Sequence, residues 1–215
     1  MSLQIIFIVI LGVISVIYLV TLAFKPGIFQ FILKGCLMPL VFAVYFFGPR
    51  EMFLLPVVLA MLFAWIGDIL LVRITNIIWF KLGLASFLVG HICYCVAMFG
   101  FIDFNFIVLA ISIVIAAVFC IVAYRVVRPS KQMKIPVIAY EIIITTMAVF
   151  AFQFFLSVGS AVGALIFAGS LCFVASDTML ALKTFRRAKI YFAVMVTYIA
   201  AQFLIAYGFS NLILH

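Results

Sequence analysis

Residues 52–72 read MFLLPVVLAMLFAWIGDILLV. A run of about 20 apolar residues, at 1.5 Å per residue, spans about 30 Å as a helix, which is the thickness of a bilayer's hydrocarbon core. The run shows no period-2 alternation, so it is not an outer-membrane strand. Its one ionisable residue is Asp68. A charged group at such depth costs at least about 2.5–3.5 kcal/mol on insertion scales, so the carboxyl needs a reason to be there.

The rest of the chain repeats this pattern. Of 215 residues, 71% are hydrophobic and 8% charged, with a mean hydropathy of +1.53. Soluble domains average about 45–50% apolar and about 25% charged residues. A soluble globular protein and a disordered chain are both excluded. Eight hydrophobic segments are expected, at 3–24, 29–47, 52–72, 82–100, 104–124, 136–156, 160–182 and 190–211. The breaks carry loop residues: Lys25-Pro26-Gly27, Gly48-Pro49-Arg50, Arg128-Pro129-Ser130 and Arg186-Arg187. Eight spans use roughly 160 residues, which leaves too few for an aqueous domain. The sequence predicts a single all-α, eight-helix transmembrane domain over 1–215. The first segment has no basic leader and no clear small-residue cleavage site, so it is expected to stay as a helix.

The basic residues set the orientation. Segments 1–2, 3–4, 5–6 and 7–8 are joined by loops that, with the flanking helix ends, hold twelve of the thirteen Lys and Arg residues, all but Arg50. The positive-inside rule then places these loops in the cytoplasm and both termini outside, in the cell (inner or plasma) membrane. The net charge of +8 is thus a topology signal with some attraction to anionic lipid, not a nucleic-acid surface. The five cysteines all fall within spans without a CxxC pair and read as reduced, buried hydrophobes.

Lys34, Asp68, His91, Glu141 and Asp177 lie within the spans. In this orientation Lys34, Asp68, Glu141 and Asp177 all sit roughly 6–8 Å below the inner edge, with His91 somewhat deeper. Four charges on four helices at one depth form a candidate site in the cytoplasmic leaflet. Residues 65–71 (WIGDILL) also resemble residues 174–180 (VASDTML), and the two aspartates are 109 positions apart. Lys34 precedes Asp68 much as Glu141 precedes Asp177, and His91 follows Asp68 much as Gln202 follows Asp177. Two parallel four-helix halves are expected from this register. Tyr94 shares the His91 face, and Tyr198 and Gln202 share another. Gly163 and Ser170 stand above Asp177 on one face and suit close packing or a slot for a lipid chain.

Simpler roles stand beside these. Asp68 pairs structurally with Lys34, or Lys34 snorkels to the headgroups. Glu141 pairs with a basic neighbour such as Lys134. His91 makes a helix–helix hydrogen bond, and Tyr140 packs. A zinc hydrolase is disfavoured, since one His lies in the spans and there is no HExxH. GxSxG, Walker A and dinucleotide motifs are absent from the sequence. Two carboxyls, one beside a lysine and one not, suit general acid–base work.

The chain resembles the lysoplasmalogenase (YhhN-like) family of multipass membrane proteins. The resemblance rests on Gly67-Asp68-x-Leu-Leu, then Gly83…Phe87…Gly90-His91…Tyr94, then Ser176-Asp177-Thr178-x-Leu-Ala, and finally Tyr198…Gln202, with Lys34 near the start of the second segment. It covers about residues 30–210. One position departs: the family's Lys is commonly followed by Pro, whereas Lys34 is followed by Gly35, with Pro39 later. The resemblance implies hydrolysis of the vinyl ether bond of lysoplasmalogens to a fatty aldehyde and a glycerophospho-base, without metal or organic cofactor. It makes Asp68 and Asp177 catalytic. His91 is expected to orient water or shuttle a proton, and Lys34, Arg73 and Lys183 to hold the lipid phosphate. Tyr94, Glu141, Tyr198 and Gln202 complete the expected substrate site. The alternative is a proton-coupled transporter using the same carboxylates.

Overall fold

The computed structural model describes residues 2–24, 27–49, 51–71 and 77–212. Among these it has no strand and eight α-helices: α1 (Leu3–Thr21), α2 (Ile28–Phe46), α3 (Leu55–Leu70), α4 (Ile77–Phe99), α5 (Phe106–Val127), α6 (Lys134–Val158), α7 (Ala161–Arg186) and α8 (Tyr191–Ser210). Seven helices are long and apolar enough to cross a membrane, and α3, at 16 residues, is the shorter one. The chain is a multi-pass integral membrane protein.

Boundaries differ from the sequence reading by up to five residues, and three of them have a local cause. Pro56 sits in the first turn of α3. Its fixed φ suits a helix start, so Met52 and Phe53 stay outside. Helix α4 begins at Ile77 rather than at residue 82, because Lys81 is exposed and needs no loop to reach water. Helix α7 runs on to Arg186, and Lys183 and Arg186 complement the negative end of its dipole.

Helices α2, α3, α4, α6, α7 and α8 pack in that order as a closed ring, α8 returning to α2. Helix α1 lies outside against α2 and lightly on α8, and α5 lies outside against α6 and α7. Tyr45, Phe154, Phe173 and Phe209 fill the middle with little or no exposure. Helix α5 buries only Ser112, Ala123 and Val127.

The two most extensive helix contacts, α3 on α4 and α7 on α8, rest on glycines. Lipid gives no hydrophobic drive between helices, so backbones must approach closely to gain van der Waals contact. A Cβ on Gly90 would stand 3.1 Å from the Ala60 carbonyl oxygen, and one on Gly169 3.1 Å from that of Ala201. Gly163 faces α6 the same way, since a Cβ there would lie 2.9 Å from Phe155 Cα. Ser170 is fully buried and donates to the Phe167 carbonyl at 2.7 Å. The expected chain slot at Gly163 and Ser170 is therefore filled by helix packing.

At one end of the ring the polar groups satisfy each other. Gln4 donates to Ser210 Oγ at 2.7 Å and to the Val44 carbonyl at 3.3 Å. Gln153 and the Asn105 backbone exchange bonds at 3.3 and 3.4 Å. The other end holds the cavity described next.

A Cβ on Gly67 would stand 2.6 Å from Phe87 ring carbons, whereas one on Gly12 meets nothing within 4 Å. Gly67→Ala is expected to destabilise by about 1–3 kcal/mol through overpacking. Gly12→Ala is expected to hold or raise stability. Thermal unfolding of the two variants in detergent checks the contrast.

Candidate active site

A cavity of about 500 Å³ opens where the starts of α2, α4, α6 and α8 meet the ends of α1, α3 and α7. Alternate helices therefore contribute opposite ends, as an up-and-down bundle requires. The wall carries Lys34, Asp68, Glu141, Asp177, Lys183 and Tyr198. Four ionisable residues placed at one depth by sequence are brought to one chamber.

Lys34 Nζ lies 3.1 Å from Asp68 Oδ1. Both side chains are largely buried, so Lys34 pairs rather than snorkels. The other carboxylate oxygen, Oδ2, accepts from the Tyr198 hydroxyl at 2.5 Å. Behind Tyr198, Gln202 Nε2 donates to its oxygen at 3.4 Å, and Tyr94 donates to Gln202 Oε1 at 3.3 Å. Phe87 and Phe173 each set a ring edgewise to Tyr198, with centroids 6.0 and 5.7 Å away. Asp68 is thus held from two other helices, α2 and α8.

Gly35, where the resemblance departs, offers its backbone carbonyl to a neighbouring helix. Pro39 has no N–H, so the carbonyl four residues before it, that of Gly35, loses its partner within α2. Trp65 Nε1 donates to that oxygen at 3.0 Å. The proline therefore ties α2 to α3 beside the Lys34–Asp68 pair.

Asp177 has different company. The Tyr140 hydroxyl donates to Asp177 Oδ2. His91 Nε2 lies 3.0 Å from the same hydroxyl oxygen and 3.6 Å from Asp177 Oδ2. Since Tyr140 gives its only proton to Asp177, Nε2 is placed to donate to the Tyr140 oxygen. His91 Nδ1 has no hydrogen-bond partner among the described residues. Phe173 meets the His91 ring edge to face at 4.7 Å. Tyr140, read as packing from the sequence, is a direct partner of a carboxyl. Its available signal was its place beside Glu141 in a turn already marked by a carboxyl.

Glu141 lines the cavity, and its Oε1 is buried without a hydrogen-bond partner among the described residues. The pairing with Lys134 does not form: Lys134 Nζ instead stands 5.8 Å from the Tyr124 ring centroid. His91, Tyr94 and Gln202 are buried and lie one layer behind the cavity wall, not on it. From there His91 meets the Tyr140 hydroxyl, and Gln202, itself bonded by Tyr94, meets that of Tyr198. Lys183 reaches the mouth, 3.7 Å over the Tyr191 ring. Arg73 lies outside the described residues. The five cysteines are free, and none is fully buried: Cys36 is exposed and the other four are half-buried. Among the described residues no three His, Cys, Asp or Glu side chains group as metal ligands.

The sequence profile of the YhhN family matches residues 29–209. The chain belongs to the YhhN family. This is the family that includes lysoplasmalogenases. No curated protein and no solved structure matches the chain. In this YhhN chain the matched region takes in the whole ring and both aspartates, while α1 lies outside it.

Removing one partner of a buried ion pair strands the other, at a cost of about 3–5 kcal/mol. Lys34→Met is expected to lose stability on that scale, and the double variant Lys34→Met with Asp68→Leu to regain most of it. Thermal unfolding in detergent reads both.

Proposed function

We propose that this YhhN protein hydrolyses the vinyl ether bond of alkenyl lysophospholipids, working from the cytoplasmic leaflet. The observation that carries the reading is that two aspartates with different partner sets line one lipid-sized cavity. The family includes lysoplasmalogenases, and the wall chemistry suits the reaction.

Enol ether hydrolysis starts with proton transfer to carbon. Asp177 is the donor in this reading, because no cation holds it and it connects through Tyr140 to His91. The carbon that takes the proton becomes CH2, and the adjacent C–O unit becomes an oxocarbenium ion. Asp68, a standing carboxylate beside Lys34, stabilises that cation, as the paired carboxyls of glycosidases do. Water adds to the cation and gives its proton to the Asp177 carboxylate. Asp177 then protonates the glycerol oxygen as its C–O bond breaks, and takes back the hemiacetal hydroxyl proton as the aldehyde C=O forms. Tyr198 and Tyr140 fix the two carboxyl planes, and Lys183 meets the phosphate at the mouth.

The polar groups at the far end are bonded to one another, and the cavity gathers its charges at one end. That arrangement favours an enzyme over a transporter, which needs a path to both sides. The same ring order, α2-α3-α4 then α6-α7-α8, supports two four-helix units, with α1 and α5 as the outer member of each.

Purified protein given alkenyl lysophospholipid is expected to release fatty aldehyde, and the saturated alkyl ether to give none. Asp68→Asn and Asp177→Asn are each expected to lower kcat by about 10²–10⁴-fold. Full turnover in both folded variants sinks the assignment. No aldehyde from folded wild type moves the reading to transport, which flux in liposomes then tests.

A further inference from the structure

A second concavity, about 1070 Å³, lies between the last turns of α1 and the α7–α8 turn. Its apolar side is formed by Val16, Val20 and Phe192, all exposed. Its polar side is formed by Lys183, Arg187 and Lys189. Two residues, Lys183 and Tyr191, line both this groove and the cavity. The partition between them is thin: the Tyr191 hydroxyl meets that of Tyr18 at 3.4 Å, and Tyr191 lies under the Lys183 ammonium.

We propose that this groove is the lateral portal through which a single-chain phospholipid passes from the leaflet into the cavity. The chain lies along α1 and Phe192, the phosphate passes from Arg187 and Lys189 to Lys183, and the Tyr18–Tyr191 contact is the gate. This rests on the lipid hydrolase reading given above. Two observations support it. Charge and apolarity fall on the two sides of the groove as they do along one lysophospholipid. Helix α1 is outside the ring and rests only lightly on α8, so this seam needs little repacking to widen. Arg187 caps α7 in the left-handed conformation, at φ 56°. Glycine takes that conformation at no steric cost, so the turn accommodates Arg187→Gly.

The test uses the full chain in phosphatidylcholine nanodiscs. Two probes are compared: a saturated alkyl lysophosphatidylethanolamine, which vinyl ether hydrolysis does not consume, and an alkylglycerol of the same chain length without phosphate. The ratio of their affinities is the readout. Arg187→Gly with Lys189→Gln removes both charges and puts glycine where the backbone favours it, so the turn keeps its shape. Wild type is expected to prefer the phosphate-bearing lipid, and this variant to lose at least about tenfold of that preference. Arg125→Gln with Lys131→Gln, in the α5–α6 turn, is expected to keep it. An unchanged ratio in the first variant, or an equal fall in the second, overturns the portal. Aldehyde release from the alkenyl lipid is measured beside it. Release with an unchanged ratio overturns the portal alone, and a lost preference without any release overturns the hydrolase reading and leaves the lipid route standing.

Discussion

The Lys34–Asp68 ion pair is the constraint around which the rest is arranged. Charges inside a bilayer are costly, and a pair repays that cost only with good geometry and further hydrogen bonds. Each neighbouring feature answers this demand. Pro39 frees the Gly35 carbonyl, and Trp65 takes it up, which fixes α2 against α3. Gly67, one residue before Asp68, lets the Phe87 ring lie close, and Phe87 in turn backs Tyr198. Tyr198 then satisfies the oxygen that Lys34 does not reach.

The second aspartate is built on another plan. Asp177 meets a phenol and an imidazole instead of an ammonium group. Two residues of one type thus face one cavity in different settings, one beside an ammonium group and one beside a phenol. What separates them is the neighbours, which come from α2 and α8 for Asp68 and from α4 and α6 for Asp177.

How much of this the sequence disclosed follows from the range of the forces involved. Spans are written in local hydropathy, so their positions are legible within a few residues. The convergence of Lys34, Asp68, Glu141 and Asp177 is legible because helix rise converts position to depth. The tyrosine partners are not, because Tyr198 and Asp68 are 130 positions apart and a tyrosine in a membrane helix has many uses. The reading of Gly163 as one side of a slot failed for a related reason: a small residue admits either a ligand or a neighbouring helix, and α6 took the space. The start of α4 was missed because Lys81 marks a span's edge but not a helix's edge.

Helix α5 stands apart from all of this. It contributes no side chain to the cavity wall and buries three residues along its whole length. Selection therefore sees it chiefly as a greasy cylinder of the right length. Exchanges among Ile, Val, Leu and Phe there are expected to cost little in packing. A change of side chain along that lipid-facing surface is therefore expected to leave the chemistry of the cavity as it was.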